Sequence, residues 1–372
     1  MFLTTDNVVH YLVARGLLDT EAIVGGAISV VEVSRRNRNF RVEVDGSAGF
    51  FVKQVPALFT ETTGSIHREA FCYDLGSSDP SFASLRPYIA PLLDYDPRQH
   101  TLTVKVLHGA ENLNAFHSRV QRFPEDIAEA QGRALGAVHH GQIGSLNGAS
   151  SRVFPRIAPW VLTIAQTAES VFTNMGPSTR ELVDLLRRNP ILVQGLYVLS
   201  TRWRQETLIH GDIKWDNFIL LKSDGQESPA LRMVDWELAD IGDSAWDVGC
   251  AFASYIQHWL ATLGADGSSE DISTLILKAP HRVESIWPAI RSLWHAYSQK
   301  RGFQLDEAGR EMRAAANFAA ARLVLTAFEM SIRMPNVTRT SAVALQLATA
   351  MMAAPDIAVR DILGLTQAEK PN

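Results

Sequence analysis

The stretch that decides the fold reads HGDIKWDN and spans residues 210–217. A pair of apolar residues precedes it, and the apolar run Phe218–Leu221 follows it. A second acid, Asp235, comes after a further apolar stretch. The pattern predicts a loop, a strand, a turn at Ser223–Gly225 and a strand that ends on Asp235.

Such a hairpin is expected to bring Asp212, Asn217 and Asp235 close together. An acid, an amide and a second acid suit phosphoryl transfer, because one carboxylate can accept the proton of the attacking hydroxyl while the other two groups hold Mg²⁺ on the phosphates. The residue types therefore indicate Asp212 as the catalytic base and Asn217 and Asp235 as the metal ligands.

The segment VDWELADIGDSAWDVG follows at residues 234–249. Together with HGDIKWDN it resembles the aminoglycoside phosphotransferase and choline kinase family, a branch of the protein-kinase-like fold. The resemblance covers the chain from about residue 20 to residue 260. It implies an α+β, bilobal protein-kinase-like fold with a small antiparallel β lobe and a large, mostly helical lobe, and it implies ATP and Mg²⁺ as cofactors.

The same resemblance implies a division of the chain into two lobes. The N-terminal nucleotide-binding lobe is predicted at 1–106, the hinge at 107–112 and the C-terminal catalytic lobe, with helical acceptor-binding insertions, at 113–372. The hinge region reads VLHGAENL at 106–113. Backbone groups around Leu107–Gly109 are expected to hydrogen-bond the adenine, so that Leu107 and Gly109 are candidate nucleotide-binding residues.

The bulk properties fit a globular enzyme. The chain has 372 residues, 46% of them hydrophobic, and a net charge of −5, so neither nucleic acid nor an anionic membrane is favoured as a partner. Two cysteines make no disulfide framework, and the N-terminus, with an early Asp6, does not read as a signal peptide. The longest apolar run, 248–265, is interrupted by polar residues and predicts a buried helix. A cytoplasmic location is expected.

Three early strands are predicted at 27–33, 40–44 and 50–55, and Lys53 lies in the third, FFVKQ. A lysine inside an apolar strand is costly unless it is paired. The resemblance implies that Lys53 contacts the α- and β-phosphates and pairs with Glu69, with Glu61 as a weaker rival. The alternative is an exposed lysine on an edge strand.

The loop between the first two strands reads SRRNRN at 34–39 and contains no glycine. By resemblance Asn37 takes the position of an asparagine that holds this loop over the nucleotide. The arginines Arg35, Arg36 and Arg38 could contact phosphates or an anionic acceptor. They could equally form a solvated basic turn.

The loop after residue 209 offers two further candidates. Lys214 stands where serine/threonine protein kinases place a lysine that reaches the transferred phosphate, so it is a candidate catalytic residue; the alternative is that it points to solvent. His210 is expected to hold the loop, and Asp247 is expected to brace it by accepting backbone hydrogen bonds. His139 and His140, at a predicted helix end, are expected to serve the helix dipole or the surface.

Most of the remaining chain predicts helices. A leading helix is expected at 7–18, another from Asp126 to Gly141, and one from a capping box of Ser178 and Glu181 through Arg188. Further helices are expected at 191–204, 247–263, 281–300, 306–332 and 340–363. The segments Pro87–Leu93 and Thr101–Leu107 predict a hairpin that turns at Asp96–His100.

The acceptor side is judged from charge. The predicted acceptor-binding insertion, 141–204, contains three acids and seven arginines: Glu169, Glu181, Asp184, Arg152, Arg156, Arg180, Arg187, Arg188, Arg202 and Arg204. Because aminoglycosides are polycations, such a chain is expected not to phosphorylate them efficiently. A neutral, anionic or peptide hydroxyl is expected instead.

Three functions follow from these residues. The first is a phosphotransferase for a hydroxyl-bearing small molecule or natural product. The second is a kinase of Ser/Thr hydroxyls in a ribosomal peptide precursor, working with a partner lyase in a biosynthetic pathway. The third is a nucleotide-binding pseudokinase scaffold, which the intact set of Lys53, Glu69, Asp212, Asn217 and Asp235 opposes.

Overall fold

The chain is seen in a computed structural model, which describes most of its residues. The described residues are 1–24, 28–33, 37–45, 49–56, 60–107, 109–146, 152–221, 229–263, 281–332 and 334–366. An antiparallel sheet occupies the N-terminal part and the remainder is mostly helical. The predicted α+β class is confirmed.

The largest sheet has five strands in the order β1, β2, β3, β5, β4, and every neighbouring pair is antiparallel. The strands are β1 Ile28–Glu32, β2 Arg38–Val44, β3 Phe50–Gln54, β4 Leu92–Asp96 and β5 Thr101–Lys105. The three strands predicted at the start of the chain are therefore confirmed. Lys53 lies in the central strand, opposite Asn39 on one side and Leu102 on the other.

The leading helix packs on this sheet. It spans Val8–Ala14, and its buried residues Tyr11 and Leu12 share a hydrophobic cluster with Phe40 and Val52. Apolar side chains from the helix and from alternate strand positions thus form one core, which holds β2 and β3 in place.

The prediction of a strand at Pro87–Leu93 was wrong. Pro80–Tyr88 forms a 3₁₀ helix, because Asp79 caps its start by accepting a hydrogen bond from the Ser81 backbone at 2.8 Å. The strand begins only at Leu92. The turn expected at Asp96–His100 is present, since the Asp96 carboxylate accepts from two backbone N–H groups that follow it.

Two small sheets carry the motif residues. In the first, β6 (Glu111–Asn112), β8 (Phe218–Leu221) and β9 (Ala230–Met233) lie side by side, and β8 and β9 form the predicted hairpin. The turn expected at Ser223–Gly225 lies outside the described residues. In the second, β7 (Thr207–Ile209) pairs with β10 (Asp240–Gly242).

Nine described helices have eight residues or more, apart from the 3₁₀ segment, and the last seven of them overlap the helices predicted from the sequence. The nine helices are Thr60–Ser78, Leu113–Val120, Glu125–His139, Pro177–Arg187, Pro190–Thr201, Ser244–Ala261, Trp287–Arg301, Leu305–Ser331 and Arg339–Ala353. The last predicted helix ends early, because Ala354 leaves the helical conformation before Pro355, which starts a separate short helical segment.

The predicted capping box at Ser178 and Glu181 was also wrong. The helix begins at Pro177, with Gly176 as N-cap and no side-chain cap. Ser178 is buried inside the first turn, and its hydroxyl has no hydrogen-bond partner among the described residues. Proline at the first helical position sets the start two residues earlier than the capping signal indicated.

The chain divides into two compact units. Unit 1 comprises Met1–Phe116, Gly141–Pro155 and Asp216–Ala239, and unit 2 comprises His117–His140, Arg156–Trp215 and Asp240–Asn372. Each unit is described by itself below. The lobes predicted at 1–106 and 113–372, with a hinge at 107–112, stay a prediction.

Within the described ranges no single helix combines the length and apolar composition needed to cross a membrane. The helical segments Arg339–Ala353 and Pro355–Ile362 have that length and composition only when they are counted together, and the chain bends by 109° between them. Cys72 and Cys250 are both buried and free.

Candidate active site

In unit 1 a buried lysine gathers three carboxylates. Lys53 is 4% exposed, and its Nζ lies 2.7 Å from Glu69 Oε2, 2.6 Å from Asp235 Oδ1 and 3.0 Å from Glu237 Oε2. Glu69 comes from the helix Thr60–Ser78 and the other two acids follow β9. We call these four residues the Lys53 network. The expected Lys53–Glu69 ion pair is present, and the alternative of an exposed edge lysine was wrong.

The Lys53 network carries more negative than positive charge when its acids are ionised, since three carboxylates face one ammonium. Burial would lower the pKa of Lys53, but the three acids outweigh it and raise that pKa well above its ordinary value. Burial raises the pKa of Glu69 to about 7, with Lys53 acting in the opposite direction. Lys53 therefore does not neutralise all of the negative charge of its network, and a further cation could bind there.

Asp235 is held in an unusual backbone conformation. Its φ is 67° and its ψ is 57°, the left-handed region that costs a non-glycine residue about 1–2 kcal/mol. Its backbone N–H donates to the Tyr73 hydroxyl at 3.2 Å, and the neighbouring Trp236 is fully buried and donates to the Met233 carbonyl. This local packing holds the strained residue where its carboxylate, 37% exposed, meets Lys53.

Asn217 and Asp235 lie at the same end of the β8–β9 hairpin. Phe218 pairs with Met233, and one step further the Val234 N–H donates to the Asn217 carbonyl at 3.0 Å. Asn217 is buried. The register of the hairpin thus places the backbone of Asn217 opposite Val234, the residue before Asp235, within unit 1.

Glu237 is a member of the Lys53 network that the sequence reasoning missed. Its carboxylate also accepts a hydrogen bond from Asn37 Nδ2 at 3.2 Å, and Arg68 donates to its backbone carbonyl at 2.9 Å. Its position two residues after Asp235, in the tripeptide DWE, was the available signal. Asn37, predicted to hold the nucleotide loop, is thereby attached to the same network as Lys53.

Of the three arginines predicted to contact phosphates or an acceptor, the structure describes only Arg38. Arg35 and Arg36 lie outside the described residues. Arg38 donates to the Leu3 carbonyl at 2.8 Å and stacks on Phe2, 3.7 Å from the ring centroid. In this structure Arg38 therefore anchors the N-terminal segment.

The other nucleotide-side candidates are less constrained by side-chain contacts. Gly109 has a φ of 64°, which favours glycine, and Leu107 is partly buried. His108, between them, lies outside the described residues, and so does the side chain of Glu61, the weaker rival of Glu69. Adenine binding by this segment stays a prediction.

Unit 2 holds the start of the motif loop through a second carboxylate. Asp247 is fully buried and accepts hydrogen bonds from the backbone N–H groups of His210, at 2.6 Å, and Gly211, at 3.0 Å. Its other contact is His139 Nε2 at 3.2 Å, and Trp246 donates from its indole to the Gly211 carbonyl. We call Asp247, His139, His210 and Gly211 the Asp247 network. The expected bracing of the loop by Asp247 is confirmed.

His139 corrects an expectation from the sequence. It is 2% exposed, and its second ring nitrogen lies 3.0 Å from the Tyr297 hydroxyl, whereas His140 is exposed. The helix end at His139 is covered by the helix Trp287–Arg301, so this histidine supports Asp247 and does not serve the surface.

Asp212 follows this braced turn and forms a close ion pair with Lys214, whose Nζ lies 2.5 Å from Asp212 Oδ2. Burial would raise the pKa of Asp212, but the charges of Lys214 and Arg322 outweigh it and hold that pKa below its ordinary value. The carboxylate is therefore ionised near neutral pH. Lys214 reaches Asp212 and does not simply extend into solvent.

A second group of three acids lies in unit 2, gathered around one arginine. Glu206, Asp243 and Glu311 surround Arg204, which donates to Asp243 and Glu311 at 2.6 to 2.8 Å. Asp243 also caps the helix Ser244–Ala261. This cluster stabilises the start of that helix, so Asp243 has a structural role.

The sequence profile of the phosphotransferase enzyme family matches residues 28–272, well over half of the chain. The chain belongs to the phosphotransferase enzyme family. The family predicted from the sequence motifs is confirmed. No protein of curated function matches the chain by sequence.

Solved structures show the same kinase-like fold as this phosphotransferase. Amicoumacin kinase hAmiN, in complex with AMP-PNP and Ca²⁺, has a TM-score of 0.51 at 9% identity, over 95% of this chain and 98% of that one. A choline/ethanolamine kinase family protein from Mesorhizobium loti scores 0.50 at 14% identity, over 97% and 100%. An aminoglycoside 2′-phosphotransferase IIIa mutant with GDP scores 0.50 at 12% identity, over 95% and 97%. Identities this low support the fold alone.

The residues of the phosphotransferase fit a hard divalent cation. The carboxylates of Glu69, Asp235 and Glu237 lie within 4.8 Å of one another, and the backbone of the predicted ligand Asn217 lies at the same hairpin end as Asp235. Oxygen-only donors with excess negative charge are what Mg²⁺ prefers. The buried Asn37 Oδ1, which has no hydrogen-bond partner among the described residues, is a further polar atom beside this network.

Proposed function

We propose that this phosphotransferase transfers the γ-phosphate of ATP to a hydroxyl acceptor with the help of Mg²⁺. The observation that carries the proposal is the Lys53 network: a lysine buried in the central strand, tied to a helix glutamate and to the acid at the end of the β8–β9 hairpin. Three carboxylates face this one lysine, one of them partly exposed, and they leave an excess of negative charge that a bound cation would neutralise.

On the nucleotide side, Lys53 contacts the α- and β-phosphates, and Glu69 keeps its ammonium oriented. Asn37 supports the loop over the nucleotide through its bond to Glu237. The backbone of Leu107 and Gly109 binds the adenine.

Asn217 and Asp235 hold the metal, with Glu237 as a further oxygen donor close to Asp235. Bound Mg²⁺ supplies charge neutralisation for the phosphate oxygens and fixes their geometry. Lys53 balances the acids of its network until the nucleotide and its metal bind.

In the transfer step, the acceptor oxygen forms a bond to the γ-phosphorus while the bond from that phosphorus to the β,γ-bridging oxygen breaks. Asp212 orients the acceptor hydroxyl and accepts its proton, and ADP leaves with the bridging oxygen. Lys214 neutralises charge on the transferred phosphate. Because Asp212 acts mainly by positioning, its low pKa is compatible with this role.

The acceptor we propose is a hydroxyl-bearing small molecule, and aminoglycosides are poor candidates. The excess of arginines in segment 141–204 supports this, as do the two cations that act on Asp212. The cytoplasmic location expected from the sequence stays a prediction.

The test is a measurement of ATP consumption across aminoglycosides, amino alcohols, sugars and Ser/Thr peptides, for the wild type and Asp212→Asn. We expect Asp212→Asn to lose at least roughly 100-fold in transfer rate, because it removes the proton acceptor. Mg-ATP affinity and circular dichroism should stay unchanged, since Asp212 is not part of the Lys53 network.

Asp184→Asn, on the exposed side of another helix in unit 2, is the matched control and should behave like the wild type. Asp212→Asn keeping more than about a tenth of the activity would place the base elsewhere. Unaltered turnover after chelation of divalent cations would contradict the metal role.

A further inference from the structure

Arg322 is a buried cation that the assignments above leave without a function. It lies in the helix Leu305–Ser331 and is 5% exposed. Its guanidinium donates two hydrogen bonds, each 3.1 Å long, to the carboxylate of Glu329, whose side chain is about half exposed. Within the described part of the chain these are its hydrogen bonds. Since a guanidinium has five N–H donors, donor capacity remains for a ligand.

The packing of unit 2 links this helix to the motif loop. Gly249, on the helix Ser244–Ala261, allows the close approach: a Cβ there would lie 2.6 Å from the Ala315 carbonyl oxygen and 2.7 Å from the Ala319 nitrogen. Two residues earlier, Asp247 binds the backbone at His210. One helix therefore contacts both the loop that carries Asp212 and the helix that carries Arg322.

The charge of Arg322 acts on Asp212. Together with Lys214 it holds the pKa of Asp212 below its ordinary value, against the opposing effect of burial. When the hydroxyl of an acceptor binds to Asp212, the neighbouring atoms of that acceptor come under the influence of Lys214 and Arg322. Lys214 and Arg322 are paired with Asp212 and Glu329, so the net charge of these four groups is close to zero. A carboxylate or phosphate is favoured over an ammonium group because it can accept from the N–H donors that Arg322 has left.

Burying a guanidinium is costly, and one half-exposed carboxylate compensates the cost only in part. The planar fork of an arginine suits bidentate binding of carboxylate and phosphate oxygens. Glu329 is nearer to solvent and competes for the guanidinium of Arg322. An incoming anion would displace Glu329 or bind to Arg322 beside it.

We propose that Arg322 binds an anionic group, a carboxylate or a phosphate ester, of the acceptor whose hydroxyl Asp212 activates. The enzyme is thus selective for acidic acceptors. The inference rests on the proposed function and names the substrate class for the same site.

The first experiment compares acceptors of similar skeleton that differ mainly in charge. Each set has an acidic, a neutral and an amino member: glycerate or glycerol 3-phosphate, glycerol and aminopropanediol; glucuronate, glucose and glucosamine; and Ser/Thr peptides flanked by Asp, Ala or Lys. We expect the acidic members to have the lowest KM, by roughly tenfold or more over the neutral ones. The carboxylate and phosphate members show which anion is preferred.

The second experiment uses two variants with opposite expected signs. Arg322→Gln should raise KM for the acidic acceptors by roughly tenfold, with a smaller change in kcat and little effect on neutral acceptors. Glu329→Gln should lower KM for the same acidic acceptors, because it removes the competing carboxylate. Arg313→Gln, on the same helix but paired with the exposed Asp356, is the matched control and should change neither.

Three results would overturn the proposal. In the first, the neutral or amino members are the better acceptors. In the second, Arg322→Gln and Glu329→Gln change all acceptors by one common factor, as a purely structural pair would. In the third, the acidic members are not turned over although slow Mg-ATP hydrolysis, lost in Asp212→Asn, persists.

Loss of Mg-ATP binding and hydrolysis altogether would instead count against the proposed function. Should Arg322→Gln not fold, Arg322→Lys keeps the charge without the planar fork. It is expected to show an intermediate KM for acidic acceptors.

Discussion

The Lys53 network of unit 1 and the Asp247 network of unit 2 are both built around carboxylates, yet their partners differ. Asp247 is fully buried, and it accepts from two backbone N–H groups and one histidine. Asp235 is partly exposed and shares a single lysine with two other acids. The first carboxylate has its hydrogen bonds satisfied by fixed donors, whereas the second lies among like charges.

This difference in partners indicates different roles for the two networks. A carboxylate whose partners are backbone N–H groups holds a loop in one conformation and has little capacity for a ligand. A carboxylate that lies among other acids is stabilised by a bound cation, because the cation reduces the repulsion between them. We therefore expect it to be most stable when metal and nucleotide are bound. The comparison therefore assigns stability to the Asp247 network and binding to the Lys53 network.

The strongest test is Asp235→Asn. Asparagine tolerates the left-handed backbone of this position, so the free energy of unfolding should change by less than about 1 kcal/mol. Mg-ATP affinity should fall by roughly 100-fold, which corresponds to about 3 kcal/mol, because a charged ligand is lost. Titration calorimetry with Mg-ATP, alongside denaturant unfolding, measures both.

The control is Asp94→Asn, which removes the ion pair with Arg15 elsewhere in unit 1 and should leave the affinity unchanged. An Asp235→Asn protein that binds Mg-ATP as the wild type does would remove Asp235 from the metal site. It would also end the distinction between the two networks.

A second prediction reverses the pattern. Asp247→Asn replaces one acceptor oxygen by an NH₂ group that faces donors, and should cost about 2–3 kcal/mol in the free energy of unfolding. Transfer activity should fall as well, because the turn at His210 and Gly211 loses its support. Chemical denaturation followed by circular dichroism gives the stability, and Asp361→Asn at an exposed ion pair is the control. A variant as stable as the control would show that the loop is held by other contacts.

The smallest expected effect concerns pH. Burial raises the pKa of Glu69 from 4.5 to about 7, so the folded state binds more protons than the unfolded state between those values. The contribution of Glu69 to stability is therefore largest below pH 4.5, declines as the pH rises to about 7, and is constant above. Glu69→Gln lacks this titration.

Relative to Glu69→Gln, the wild type should thus lose on the order of 1 kcal/mol or more between pH 5 and pH 8. Denaturant unfolding of both proteins at pH 5, 6, 7 and 8 checks the slope. A stability difference that is flat, or that rises with pH, would mean that Lys53 fully compensates the burial of Glu69.

Much of unit 1 could be predicted because its signals are local. The apolar strands around Lys53 and the β8–β9 hairpin before Asp235 follow from short apolar runs. The motif spacing indicated Asn217 in the same unit and Asp212 in unit 2. Where two local signals competed, one misled: Ser178 looked like a capping residue, but Pro177 already starts the helix.

The sequence by itself determined the fold class, the family, the order of the strands along the chain and the residue types of the candidate site. Tertiary structure decided which partners those residues have: Glu237 on Lys53, His139 on Asp247 and the charge of Arg322 on Asp212. The physical reason is that turn and periodicity signals extend over a few residues. These partners are separated by about 100 residues or more, and only the packing of whole helices and strands brings such side chains within hydrogen-bond or Coulomb range.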